Sequence, residues 1–257
     1  MDDRNRDKKF SDCDRKFMEG DYDKKASYIW FKVKKTQVEM MFDRGLEIPE
    51  EELFLLSFDP EKESLRMWEQ RTMHIFVEMY RKKADAEGVN FNAVLSNAYP
   101  DSTTNVNTVV VYLCRERESL SITSDEFKTK FYIYLNEYFS SSRPLKMIFI
   151  SEVTLNRKEE CVEKLNFVSC QFFLTEHLIH NPTRHALTPP HTLLNEEERR
   201  REMDENNLRP SMLPVLLKTD PIVRYYDWEV GGIVHIARTE HYLEIPAPKT
   251  PYYRRIQ

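Results

Sequence analysis

The sequence predicts an α+β / α/β protein in two parts, a mixed-sheet N-terminal domain and a smaller C-terminal α+β domain built from short elements. Three observations carry this. Strand-like and helix-like stretches alternate from "NTVVVYLC" at 107–114 to "NFVSCQFF" at 166–173, the pattern of an α/β layer with some parallel pairing. Upstream, residues 30–45 and 65–83 repeat apolar side chains at helical spacing. Downstream, prolines at 182, 189, 190, 210, 214 and 221 hold every element short, and the change of character places a domain boundary near Gln171.

Residues 1–25 mix both charges with few apolar side chains and no sustained period, so a disordered charged tail is expected. "WFKVKKTQVEMMFDRG" then reads as an amphipathic helix. Trp30, Val33, Val38, Met40, Met41 and Phe42 form its broad apolar face, and Lys32, Lys35, Glu39 and Asp43 lie opposite. Gly45 ends it by accepting a left-handed backbone. "LRMWEQRTMHIFVEMYRKK" at 65–83 is a second helix, followed by Gly88. Strands are expected at 90–95 ("NFNAVL") and 107–114, with "YPDSTTN" supplying turn residues around them. Thr123 and Glu126 match a capping box at the head of an aromatic helix, "ITSDEFKTKFYIYLNEYFSSS". "RPLKMIFISEV" reads as a buried strand, "NRKEECVEKL" as a short helix, and "NFVSCQFF" as a strand running into a helix. The later charge run "NEEERRREMDENN" has helical potential, with Glu197 four residues ahead of Arg201 in the favourable order.

A charged fraction of 32% beside an apolar fraction of 40% gives a core under a strongly solvated surface. The net charge of -5 excludes wholesale coating of nucleic acid and leaves room only for a local basic patch, such as Lys32, Lys34 and Lys35. No apolar run approaches the roughly 20 residues of a membrane span, and the first residues carry no secretory apolar region. Cys13, Cys114, Cys161 and Cys170 form no CxxC pair, so free thiols in a reducing compartment are expected. These features describe an intracellular soluble protein.

The chain has only five glycines, yet Gly231 and Gly232 are adjacent. A Walker loop would follow them with Lys and Ser or Thr, and a dinucleotide fingerprint with a third glycine opening a helix. "GIVHIAR" offers neither, so the pair reads as a turn between a helix and a strand. His177, His180, His185 and His191 invite a zinc site, but the intervening prolines keep them off one rigid helical face, and no cysteine or acid completes a ligand spacing. Asp101, with Glu116 and Glu118 after a strand, is faintly similar to metal-dependent nucleases of the PD…ExK type. The lysine of that motif is absent here. No cofactor or metal is expected, and the residues describe a two-domain binding or assembly protein.

"HALTPPH" (185–191), "LRPSMLP" (208–214), "DPIVRYYDW" (220–228) and "GGIVHIAR" (231–238) together resemble the C-terminal domain of the fifth common subunit of eukaryotic nuclear RNA polymerases, a domain shared with its archaeal counterpart. The matching positions include Leu187, Leu208 and Ile236 and, as the assembly set, His185, Pro189, His191, Leu213, Pro214, Asp220, Pro221, Arg224, Tyr225, Gly231, Arg238, Tyr253 and Arg254. Spacing from Leu208 to Arg238 matches without a gap. "KVKKTQVEMMFDRG" keeps Lys32, Lys35, Thr36 and Asp43–Arg44–Gly45 in register, and "QFFLTEHLI" (171–179) joins the halves. The likeness is strong after 171 and thin between 46 and 145. Asp227 stands where the family usually has glycine and Gly232 where it has a polar residue. The link "TEHYLEIPAPKTP" and the segment 46–90 are longer than usual, as in a divergent member or a paralogue dedicated to one polymerase class.

The resemblance implies a non-catalytic nuclear subunit whose residues 171–257 dock on the largest polymerase subunit. It implies that residues 26–170 form a jaw with an inactive nuclease-like fold near downstream duplex DNA, with Lys32, Lys34, Lys35 and Arg44 as the DNA-proximal positions. Asp220–Pro221 is then the cap and first turn of a short helix, and Gly231 turns the chain into the last strand pairing. Partners are other polymerase subunits and, weakly, DNA, with no membrane and no homo-oligomer. The alternatives are a free-standing DNA-binding or regulatory adaptor and, third, the nuclease.

Overall fold

The computed structural model describes residues 24–88, 94–101, 103, 107–113, 145–152, 169–237 and 252–257. Contacts divide the chain into two compact units, Met1–Ile179 and His180–Gln257, each a mixture of helices and sheet. The expected tail lies outside the described residues, apart from Lys24 and Lys25, which begin the first helix.

In the N-terminal unit, helix α1 (Lys24–Asp43) is buried on more than one side. Its Trp30 ring meets Tyr112 edge-on at 6.1 Å, and its Phe31 ring meets Phe76 at 5.8 Å. An element gripped by a sheet and a second helix has no single apolar stripe. Lys34, Thr36 and Gln37 are therefore inside, while Phe42, expected on the core face, is exposed. Gly45 closes the helix at φ 78, with Leu46 N–H reaching Met41 O at 3.1 Å. A 3₁₀ helix, η1 (Glu50–Leu55), follows.

Helix α2 (Leu65–Glu87) starts at Ser64, whose hydroxyl accepts the Met67 N–H, and stops at Gly88, which is left-handed at φ 65. It buries Trp68, Thr72, Phe76, Tyr80 and Ala84, one residue per turn along a single face.

The first sheet has the order β1-β2-β3-β4, with β1 (Asn97–Pro100), β2 (Asn107–Leu113), β3 (Leu145–Ser151) and β4 (Ser169–Leu174). β1 runs antiparallel to β2, and the remaining pairs are parallel. Of the strand expected at 90–95, residues 90–93 lie outside the described residues. Val94 and Leu95 are helical, and pairing begins only at Asn97, within what reads as turn sequence. Pro100 is tolerated because β1 is the outer strand of the described sheet, and its carbonyl accepts the Glu47 N–H at 3.0 Å. The helices expected at 122–142 and 156–165 lie outside the described residues. Gln171 sits within β4, where its side chain accepts a hydrogen bond from Arg44 at 2.8 Å, and a short helix α3 (Thr175–Leu178) completes the unit. Gln171 thus lies eight residues before Ile179, the last residue of the first compact unit.

In the C-terminal unit the sheet order is β5-β7-β8-β6, formed by β5 (His191–Leu193), β6 (Val215–Leu216), β7 (Ile233–Ile236) and β8 (Tyr252–Ile256). β7 is antiparallel to β5 and β8, and β6 is parallel to β8. Alternating side chains feed two cores. Leu216, Val234, Ile236 and Ile256 pack with Val223 of helix α5 (Pro221–Tyr226). Ile233 and Tyr253 pack with Leu213 and with Met203 of helix α4 (Glu196–Glu205). The charge run is α4 itself, held at its start by a capping box between Asn195 and Glu198. Its ion pairs join Arg199 to Glu196 and Arg201 to Glu202.

Candidate functional site

The assembly positions are spread through the C-terminal unit from His185 to Arg254. His185 is exposed, and its Nδ1 accepts the Leu187 N–H at 3.2 Å. Pro189 O lies 2.6 Å from His191 Nδ1, which fixes the entry of β5 opposite Ile236. Leu213 is buried, whereas Pro214 is exposed and gives its carbonyl to the Arg255 N–H at 3.0 Å. Asp220 caps α5 by accepting the Ile222 N–H at 2.8 Å, with Pro221 as the first helical residue.

Arg224 is half-buried, and burial holds its guanidinium below the ordinary arginine range. Tyr225 is buried, and its hydroxyl accepts a hydrogen bond from Asn181 Nδ2 at 3.1 Å. Tyr253 is also buried. Its hydroxyl donates to Glu202 Oε2 at 2.5 Å, and burial together with that carboxylate pushes its ionisation well above the usual tyrosine value. Arg254 lies over the Tyr252 ring and donates to Val215 O at 3.3 Å. Arg238 lies outside the described residues.

The glycine pair resolves into two different requirements. Gly231 has φ 92, a left-handed conformation that side chains rarely adopt. Gly232 sits where an added Cβ would come within 2.8 Å of Leu193 Cδ1, 3.2 Å of Glu229 O and 3.3 Å of Ile256 Cδ1. Their backbone sets the register of the last strand, since Gly231 N–H donates to Ile256 O at 3.0 Å and Ile256 N–H donates to Gly232 O at 2.9 Å.

Of the assembly set, Leu213, Tyr225 and Tyr253 are thus buried within the unit, while His185, Pro214, Pro221 and Gly231 are exposed. The large apolar side chains exposed on the described part of the unit are Leu187, Leu193, Met212, Val215, Leu217 and Val230, with Leu187, Met212, Leu217 and Val230 the most open; of these only Leu187 stood among the matching positions. Met212 and Leu217 lie in short proline-punctuated stretches and Val230 directly before the glycine pair, where no period distinguishes an inward from an outward residue.

Of the four cationic positions of the N-terminal unit, Lys34 departs from expectation. Lys34 is fully buried, and its ammonium lies 2.7 Å from Glu52 Oε1, so it is no DNA-proximal residue. A helix buried on several sides takes Lys34 inside while its expected polar flank of Lys32, Lys35, Glu39 and Asp43 stays partly exposed. Lys32 and Lys35 are partly buried and pair with Glu69 and Glu39, and Arg44 donates to Gln171. Among the described residues no group of three or more His, Cys, Asp or Glu side chains is gathered as a metal site. Asp101 accepts the N–H and hydroxyl of Thr103 at 2.8 and 2.6 Å, and Glu116 and Glu118 lie outside the described residues.

The family model of the RNA polymerase Rpb5 C-terminal domain matches residues 180–255, the span of the compact C-terminal unit. The chain is 25% identical over 218 residues to DNA-directed RNA polymerase V subunit 5A of Arabidopsis thaliana, covering 84% of each chain. It is 23% identical over 222 residues to the Caenorhabditis briggsae RPABC1 subunit of DNA-directed RNA polymerases I, II, and III, covering 84% of this chain and 92% of the relative. Over 55 residues it is 44% identical to DNA-directed RNA polymerase subunit Rpo5 of Methanosphaera stadtmanae, 21% of this chain but 71% of the archaeal one. With a C-terminal unit matched along its length and relatives matched through both units, this chain belongs to the Rpb5 family of RNA polymerase subunits.

Proposed function

We propose that the protein is a non-catalytic subunit of a nuclear multi-subunit DNA-directed RNA polymerase, docked on the largest subunit through residues 180–257. The observation that carries this is the archaeal relative. A stretch equal to 71% of that polymerase subunit aligns here over 55 residues. A subunit that consists mostly of such a stretch must hold its means of attachment within it. The solvent-facing Leu187, Met212, Leu217 and Val230 supply apolar area suited to a lasting interface.

The N-terminal unit is proposed to be the jaw facing downstream duplex. The support is the resemblance together with its mixed sheet of one antiparallel and several parallel pairings. Contacts there would go to phosphate, giving position without sequence readout. The two units are proposed to fold independently. Residues 180–257 expressed alone should be soluble and should co-purify with the polymerase. Retention by residues 1–179 alone, with loss by 180–257, would overturn the docking assignment.

A further inference from the structure

At the centre of the N-terminal unit, one ammonium and one carboxylate join segments that are far apart in the chain. Lys34 Nζ, from α1, lies 2.7 Å from Glu52 of η1 and donates to Leu95 O at 2.8 Å and to Gln37 Oε1 at 3.0 Å. Glu52 also accepts from Tyr99 of β1 at 2.6 Å, from Asn97 Nδ2 at 3.0 Å and from Tyr80 of α2 at 3.3 Å. Gln37 Oε1 accepts in addition from Tyr112 of β2 at 3.2 Å. Every hydrogen of the ammonium has an acceptor, and both carboxylate oxygens have donors.

Apolar packing alone does not say how η1 should lie. Residues 52–58 read "ELFLLSF", and only Leu55 of this run is buried among its apolar residues, while Leu53 and Phe58 are exposed. A contiguous apolar run can slide without losing hydrophobic content, and a short 3₁₀ helix has weak internal bonding to resist the shift. A slide that brings Leu53 against Lys34 is different, because it leaves a buried ammonium without a counter-charge. Removing both charges from water also carries a large desolvation cost, so such pairs add little net stability over well-packed apolar residues.

We propose that the Lys34–Glu52 pair is a conformational lock, which selects one placement of residues 50–58 against β1 and α2 and contributes uniqueness of packing rather than net stability. It makes the segment between α1 and β1 an integral part of the core. The test is amide hydrogen exchange and thermal melting of the full chain. Lys34→Met and Glu52→Gln, singly, should speed exchange across 46–58 by about a hundred-fold or more and lower the melting temperature. The Lys34→Met/Glu52→Leu double variant should melt within roughly 5 °C of the parent while 46–58 still exchanges fast. Recovery of the parent's protection over 46–58 by the double variant overturns the lock. So does a double variant as unstable as the singles, since the pair would then be a net stabiliser, and so do single variants with unchanged exchange. Should the neutral single variants fail to fold, Glu52→Asp keeps the charge and shortens its reach. Faster exchange confined to 46–58 then supports the lock, and unchanged or global exchange contradicts it.

Discussion

Tyr225 and Asn181 join the first turn of the C-terminal unit to its central helix, the tyrosine hydroxyl accepting from the amide at 3.1 Å while the ring is buried. Asn181 also holds the following turn, accepting from Thr183 N–H and hydroxyl at 2.9 and 2.7 Å. Tyr225→Ala should therefore destabilise the unit by about 3–5 kcal/mol, as large aromatic truncations in cores do. Tyr225→Phe should cost about 1 kcal/mol, the lost hydrogen bond. Chemical denaturation of residues 180–257 measures both. A melt that barely moves, with polymerase association lost, would reassign Tyr225 to the interface.

The glycine pair and Asp227 make opposite predictions. Gly231→Ala places a side chain at φ 92 and should cost about 1–2 kcal/mol. Gly232→Ala should cost about 1–3 kcal/mol, because Leu193 and Ile256 must move and the Glu229 carbonyl resists. Asp227 is itself left-handed at φ 57 at the end of α5, so Asp227→Gly should raise stability by up to about 1 kcal/mol. Equilibrium unfolding of the three variants checks the order.

Acid should attack the N-terminal unit through Glu52. Burial by itself would raise its carboxyl, but Lys34 and the donors Tyr99 and Asn97 overcome this and hold it below the ordinary 4.5. A depressed carboxylate contributes stability above its unfolded value and loses it as pH falls through the folded one. Stability should thus decline below about pH 4.5, and Glu52→Gln should flatten that acid limb. An unchanged acid limb in the variant would show that other carboxylates carry it.

DNA contact by the free protein should be weak. Lys32, Lys35 and Arg44 are each engaged within the unit, and Lys34 is sealed inside. Binding to duplex should lie near roughly 10⁻⁴ M or weaker, without sequence preference, each neutralised phosphate adding about 0.9 to the log–log salt slope. Lys32→Ala/Lys35→Ala in the assembled polymerase should reduce cross-linking to downstream duplex. Tight sequence-specific binding by the isolated chain would favour a regulatory adaptor.

Local signals were legible where a few neighbouring residues decide the outcome. Gly88 ends α2, Gly45 closes α1, and Asp220 with Pro221 opens α5, each through a backbone requirement of its own turn, whereas the Ser64 cap of α2 emerged only in the structure. Lys34 was illegible because its partners Glu52, Leu95 and Tyr99 come from distant segments, and helical period alone assigns a lysine to solvent. β1 was missed for a related reason. "NAYP" is extended because Tyr99 reaches Glu52 and its neighbours pair with β2, not because of its own composition. In the C-terminal unit the motifs identified the family, yet they mix buried Leu213, Tyr225 and Tyr253 with exposed His185, Pro214 and Pro221, so the exposed apolar side chains had to be found in the structure.

A resident subunit of an RNA polymerase stays with its enzyme through purification. The most direct measurement is purification of the tagged full-length chain from its own cells at high salt, with intact-mass analysis of what remains bound. The largest polymerase subunit and its companions should remain at one copy each per chain, and that assembly should be lost when residues 180–257 are removed. Recovery of the chain alone, or with DNA and no polymerase subunit, would contradict it.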